Sequence, residues 1–241
     1  PAISYDSTND KMVFSYQDNS NSNYGTIIVG TVSGTSISFG TPVVFEAAST
    51  NYTTSAFDTN SGKVVIAYRD QGNSNYGTSV VFQNANVTTN LTSENYIGMS
   101  GGATEVESGT QAIGSPAVFE SAGSVEIGSA YDANAQRVVV AYRDGGNSNY
   151  GTAVIGTVSG TSISFGTPVE FASDSTWYTR AAYDSANDRV VICYRDETNS
   201  GKGTAIVGTV SGTSISFGTE VVFEEGAMNN NDIIYDSVNN E

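Results

Sequence analysis

Three Arg-Asp pairs recur along the chain, at Arg69-Asp70, Arg143-Asp144 and Arg195-Asp196, with Gln17-Asp18 as a variant. A guanidinium is a planar fork of donors that matches a carboxylate, so three brought together could clamp an acidic ligand. The plainer expectation is that each Arg pairs with its neighbouring Asp and fixes a turn. Two of the pairs open the text Asp-x-x-Asn-Ser-Asn-Tyr-Gly, at Asp70 to Gly77 and Asp144 to Gly151. There Asp70, Asn73, Asp144 and Asn147 put hard oxygen atoms at short spacing, a donor set suited to Ca2+. An ordinary Asn/Gly turn explains the same text, and Asp18 to Gly25 and Asp196 to Gly203 keep the length while changing the ligands. Calcium is the one cofactor these residue types suggest.

A third set lies where the repeats described below differ most, in STNYTTS (Ser49 to Ser55), SAGSVEIGS (Ser121 to Ser129) and SDSTWYTR (Ser173 to Arg180). Variation on a constant scaffold is how a repeat protein builds a site. Tyr52, Trp177 and Tyr178 could offer a sugar ring an aromatic platform, with Asp174 and Arg180 as polar partners. The alternative is that these rings pack between repeats or fill the centre of the molecule.

Composition narrows the classes. A formal charge of −16 with no His argues against nucleic-acid binding through phosphates and against an anionic membrane surface. The missing His also takes away the commonest general base. The single Cys193 sits where sister repeats carry Ala67 and Ala141. It reads as a small buried hydrophobe, since no His exists to activate it. No apolar run approaches the ~18 residues of a membrane-spanning helix, so no membrane insertion is expected. The chain starts at Pro1 without a signal sequence, which reads as a processed or excised piece of something longer. Asn/Ser/Thr-rich turns lean towards an extracellular, cell-surface or virion setting. Asn51, Asn86 and Asn90 head N-x-Thr sequons, which Asn/Thr-rich text produces often by chance.

What must position these residues is a repeat. An aromatic before an Asp falls at Tyr5, Phe57, Tyr131, Tyr183 and Tyr235, spaced 52, 74, 52 and 52 residues apart. The long interval is one repeat plus a 22-residue insertion between about Val87 and Gly109, expected as a long loop or small hairpin. Four strands are predicted per repeat: a short one ending at Tyr-Asp, as in Thr179 to Asp184; an apolar one, Arg189 to Asp196, buried on both faces; a third near Thr204 to Val210; and a fourth, Ile215 to Glu224. Proline within the fourth in sister repeats (Pro42, Pro168) makes it an edge. Four antiparallel strands with covered faces and a repeat near 50 residues predict an all-β chain, a β-propeller of four-stranded blades. The blades would span 1–52, 53–124, 125–178 and 179–230, with a partial fifth at 231–241. The doubled first strand (Ala2 to Asp6 and Asp232 to Asp236) suggests an excerpt of a longer array, a five-fold ring completed by another copy, or a four-blade ring with a spare strand.

The order of a short strand, an apolar strand ending Tyr-Arg-Asp and a third strand turning into Ser-Phe-Gly-Thr-Pro-Val resembles blades of the sialidase and BNR-repeat propellers. Their Asp-box turn reads S-x-D-x-G-x-T-W. Ser38-Phe39, Ser164-Phe165 and Ser216-Phe217 stand at its Thr-Trp positions. Gly34, Gly160 and Gly212 replace its Asp, and Ser36, Ser162 and Ser214 its Gly. The box is degenerate, so the likeness is to the blade plan. It implies an arginine cluster at Arg69, Arg143 and Arg195, while the family's nucleophilic Tyr, partner Glu and acid Asp find no matching position. A looser likeness is to repeat segments of marine phage and bacterial surface proteins.

The reading that follows is a non-catalytic propeller for binding or adhesion, engaging a glycan or a surface protein. A sialidase-like glycoside hydrolase and a purely structural array or filament subunit, self-associating through terminal or edge strands, are the alternatives.

Overall fold

The computed structural model describes residues 1–84 and 110–239, so the insertion at 87–109 and the sequons at Asn86 and Asn90 lie outside the described residues. Its strands are β1 (Ala2–Asp6), β2 (Lys11–Asp18), β3 (Tyr24–Ser33), β4 (Ser36–Phe39), β5 (Val43–Asp58), β6 (Lys63–Asp70), β7 (Tyr76–Gln83) and β8 (Ala112–Ile113). There follow β9 (Ala117–Asp132), β10 (Arg137–Asp144), β11 (Tyr150–Ser159), β12 (Ser162–Phe165), β13 (Val169–Asp184), β14 (Arg189–Asp196), β15 (Lys202–Ser211), β16 (Ser214–Phe217) and β17 (Val221–Ala227). All pairings are antiparallel, and among the described residues the series is open, because β1 and β17 do not pair.

The 52-residue period is visible as four successive ladders. In each, an inner strand pairs a second, the second a third, and the third both a short strand and the start of a long one. The predicted second strand, Arg189 to Asp196, keeps its bounds as β14. The predicted fourth strand does not. It divides into a four-residue piece (β4, β12, β16) and a longer one (β5, β13, β17), and Pro42 and Pro168 fall in the break between them. A residue without an N–H is thereby kept off the ladder.

A second difference concerns the stretches expected as loops between repeats. Each is strand throughout. In β5, Ser49 still faces Tyr24 of the first ladder while Thr50 faces Asp70 of the second; β9 and β13 cross over in the same way. One residue after each crossover takes a left-handed backbone: Tyr52 (φ 51), Glu126 (φ 53) and Tyr178 (φ 54). These are bulges that re-aim the chain without breaking it.

The true turns are closed by left-handed residues and by Asp. Asp10, Gly62, Gln136 and Asp188 close the first-to-second turns, and Ser-Asn or Ser-Gly pairs such as Ser74-Asn75 close the second-to-third turns. Asp58 Oδ1 accepts the amides of Asn60 (2.9 Å) and Ser61 (3.0 Å), and Asp184 repeats the arrangement with Ala186 and Asn187. Such side-chain bonds stand in for backbone ones where a strand ends.

Apolar clusters lie between successive ladders, so the units stack face to face. Ala67 and Tyr142 share one cluster and Ala141 and Tyr194 another. The alternation Ala-Tyr along the second strand therefore places a small residue on one face and a large one on the other, and each Tyr fills the space left by its neighbour's Ala. A Phe at the edge closes each contact, with ring centroids 5.1 Å apart for Phe45–Tyr68 and 5.2 Å for Phe119–Tyr142 and Phe171–Tyr194. Gly77 and Gly151 make room for that Phe. A Cβ on Gly151 would sit 2.3 Å from the Phe171 ring.

Candidate functional site

The two residues at the second and third positions before each repeat's aromatic all line one cleft. They are Ala2-Ile3, Thr54-Ser55, Gly128-Ser129, Arg180-Ala181 and Asp232-Ile233. The inner segments of all five repeats, the last carried by the C-terminal residues, thus converge on a space of ≈ 1020 Å³. Adjacent inner strands touch through their hydroxyls: Ser4 Oγ lies 2.7 Å from Ser55 Oγ, and Thr54 Oγ1 3.0 Å from Ser129 Oγ. Repetition explains the convergence, since equivalent strands of successive stacked units take equivalent places.

At one end the wall is polar and varied. Asn51, Tyr52, Gln17 and Arg180 line it. Gln17 Nε2 donates to Ser49 Oγ (3.2 Å) and Asn51 Oδ1 (3.1 Å). Arg180 donates to the Thr179 carbonyl (2.8 Å). Tyr52 has a left-handed backbone and its residue is 40% exposed. Phe14 and Tyr16 form an aromatic wall on the side of the first unit.

The expected aromatic platform is divided. Tyr52 and Arg180 face the cleft, but Trp177 and Tyr178 do not line it. The Arg143 guanidinium lies 4.3 Å from the Trp177 ring centroid, so that face is already taken by a cation. Arg69 sits over Tyr52 more loosely, at 6.0 Å. Asp174 belongs to the half of β13 before the crossover and is not among the cleft residues.

The three arginines do not pair with their neighbouring Asp. Consecutive strand residues point to opposite faces, so Arg and Asp part company. Arg69 donates twice to Asn75 Oδ1 (3.0 and 2.7 Å). Arg195 meets Glu197 (2.7 Å), Asn229 and the Met228 carbonyl. Asp70 and Asp144 turn inward and accept loop amides instead: Asn73 N at 3.1 Å, and Gly146 N at 2.8 Å with Asn147 N at 3.2 Å. Asn147 donates to Glu170. The Asp70 and Asp144 carboxylates are thus engaged in their own turns, and among the described residues no group of three or more His, Cys, Asp or Glu could hold a metal ion.

One acid was missed by the sequence reading. Glu126 is buried and accepts the Tyr178 amide at 3.1 Å. Burial raises its pKa, opposed by that hydrogen bond and by Arg180 and Arg143. Burial in turn lowers the Arg143 pKa, with Glu126, Tyr52 and Glu197 pulling it back. The signal lay in the repeat: Glu126 holds the position of Tyr52 and Tyr178, and a carboxylate among ring-bearing equivalents marks an exception.

Cys193 is buried, its thiol raised to about 11 chiefly by burial, and the Asn231 amide lies 3.0 Å from its sulfur. It is held protonated and is no nucleophile at neutral pH. No helix among the described residues is long and apolar enough to cross a membrane. Comparison with known proteins finds no family model and no curated protein that matches this chain.

Proposed function

We propose that the four stacked units are an arc of a β-propeller, with the cleft as its axis, and that the protein is a non-catalytic binding module of an extracellular or virion surface. Its ligand is a glycan or a polar patch of a surface protein, received at the Asn51, Tyr52, Gln17 and Arg180 end of the cleft. The observation that carries this reading is the convergence of five repeat-equivalent segments on one cleft, with residues the repeats do not share at its mouth. Amides, a guanidinium and a tilted phenol ring suit the hydroxyl groups and ring faces of a sugar.

The hydrolase alternative needs two carboxylates flanking a scissile bond. Among the cleft residues the only carboxylate is Asp232, and Glu126 is engaged by the Tyr178 amide. Binding is therefore the better-supported reading.

A glycan-array screen of the soluble chain, with and without EDTA, tests it. The expected result is a restricted set of hits insensitive to EDTA. Hits abolished by EDTA would restore the calcium reading, and the absence of any hit would remove the sugar.

A further inference from the structure

The inner strands of the third and fourth units approach each other at backbone distance. A Cβ on Gly128 would sit 2.8 Å from the Arg180 Cα, 2.9 Å from the Thr179 carbonyl oxygen and 3.2 Å from the Ala181 nitrogen. This part of β9 therefore lies against the stretch of β13 that carries Arg180 to the cleft. Arg180 Nη1 donates to the Thr179 carbonyl at 2.8 Å, which ties the side chain to that same stretch.

Two residues before Gly128, Glu126 makes a polar tie across the same boundary. The pairing of β13 with β14 shifts register between Trp177 and Arg180, so the bulge frees the Tyr178 amide from the ladder. Glu126 Oε2 accepts that amide at 3.1 Å. The bulge ahead of Arg180 is thus held by a side chain of the neighbouring unit. Glu126 is 6% exposed, and the ion pairs of the described residues, Arg195–Glu197 and Lys202–Glu225, do not include it. The charged groups that face it are Arg180 on β13 and Arg143 on β10. Arg143 in turn faces Tyr52 on β5 and Glu197 just beyond β14. A buried carboxylate takes up a proton more readily than an exposed one. Ionised, it accepts a charge-assisted bond about twice as strong as a neutral one.

We propose that Glu126 is a proton-controlled positioning residue for the cleft: ionised, it fixes the Tyr178 bulge and with it Arg180 at the mouth, and protonated, it releases both. The proposal rests on the reading of the cleft as a binding site, and it adds a regulation: binding there strengthens as pH rises through the Glu126 titration. Protonation takes one proton from solvent and removes the negative charge that Arg143 and Arg180 share. Ionisation costs the fold some stability, as burial of a charge does, and in return gives the site its geometry. A carboxylate that merely filled space at the boundary would not couple its titration to Arg180.

The first test needs no ligand. In isotope-labelled protein followed by NMR, the Tyr178 amide and the Arg180 Nε–H should shift together on one titration curve from about pH 4 to 8. Glu126→Gln, which keeps an acceptor, should abolish both shifts, with circular dichroism confirming the fold. Glu197→Gln, which removes the other carboxylate facing Arg143, should leave them in place. A Tyr178 amide that does not titrate, an Arg180 signal that does not follow it, or shifts that survive Glu126→Gln overturn the proposal. The second test puts wild type and Glu126→Gln on the glycan array at about pH 5 and 7.5. Wild-type hits should weaken about tenfold at the lower pH, the order of the difference between a charged and a neutral acceptor. Those of Glu126→Gln should not change between the two. Wild-type hits equal at both pH values also overturn the proposal. An array blank at both, with the NMR titration intact, removes the binding reading of the cleft and keeps Glu126 as the residue that holds Arg180.

Discussion

Tyr16 and Tyr142 have the same place in the repeat and different surroundings, so one substitution at the two sites measures what stacking contributes. Tyr142 is fully buried against Ala67 of the preceding unit, meets Phe119 at 5.2 Å and donates to Glu120 at 3.2 Å. Replacing a buried aromatic with Ala costs about 3–5 kcal/mol, the lost transfer energy plus the cavity. The lost hydroxyl adds little beyond this, because Glu120 is half-buried and water can replace the donor. Tyr16, at the equivalent position of β2, is only half-buried. Tyr16→Ala forfeits only partial burial, about 1 kcal/mol or less. Urea titration followed by far-UV circular dichroism and by Trp177 fluorescence reads both. The two signals also test whether the stack unfolds as one, which repeat proteins need not do. Equal losses for Tyr16→Ala and Tyr142→Ala would refute the reasoning, because the first unit's outer face would then be covered in solution.

Gly151→Ala should destabilise by about 1–3 kcal/mol, as an overpacked core does, because the new Cβ meets the Phe171 ring at 2.3 Å; thermal melts check this, and Gly160→Ala, with open space at Cβ but φ 59, should act through backbone strain alone. The raised pKa of buried Glu126 means that the folded state holds its proton more tightly than the unfolded state. Its contribution therefore falls as pH rises from about the ordinary carboxylate value of 4.5 through the raised one. Glu126→Gln keeps an acceptor for the Tyr178 amide and should flatten that slope in stability measured from pH 4 to 8; an unchanged slope counts against it. Cys193, buried with its thiol raised to about 11, should react with a disulfide reagent at neutral pH only as the protein unfolds, and rapid labelling of the native chain would show that the 231–236 segment does not cover it.

Much of the scaffold could be read from the residues because it repeats. The 52-residue spacing recurs in the successive strand ladders, and RVVICYRD forms the largely buried strand β14. Two features were hidden by physics that sequence does not display. The stretch from Val43 to Asp58 reads as strand, polar loop, strand, yet its backbone changes partner at Ser49-Thr50 without leaving the sheet. The bulge that permits this is carried by Tyr52, Glu126 and Tyr178, types that do not advertise a left-handed backbone. The candidate site was legible in part. Tyr52 and Arg180 reach the cleft, whereas Trp177 is capped by Arg143 from the neighbouring unit, a contact set by the stacking of units and invisible in either repeat alone. The Arg-Asp pairs misled for a local reason: adjacent strand residues face opposite ways, so proximity in sequence separated them.

The central claim is that the varied end of the cleft binds. Its most direct test is a glycan array probed side by side with the wild-type chain, Tyr52→Ala and Arg180→Ala, each first shown to be folded. The account predicts that the wild-type hits fall by about tenfold or more in both variants, as when one good contact of about 1.4 kcal/mol is lost. Hits that persist undiminished in both variants would contradict it, placing any ligand elsewhere on the protein.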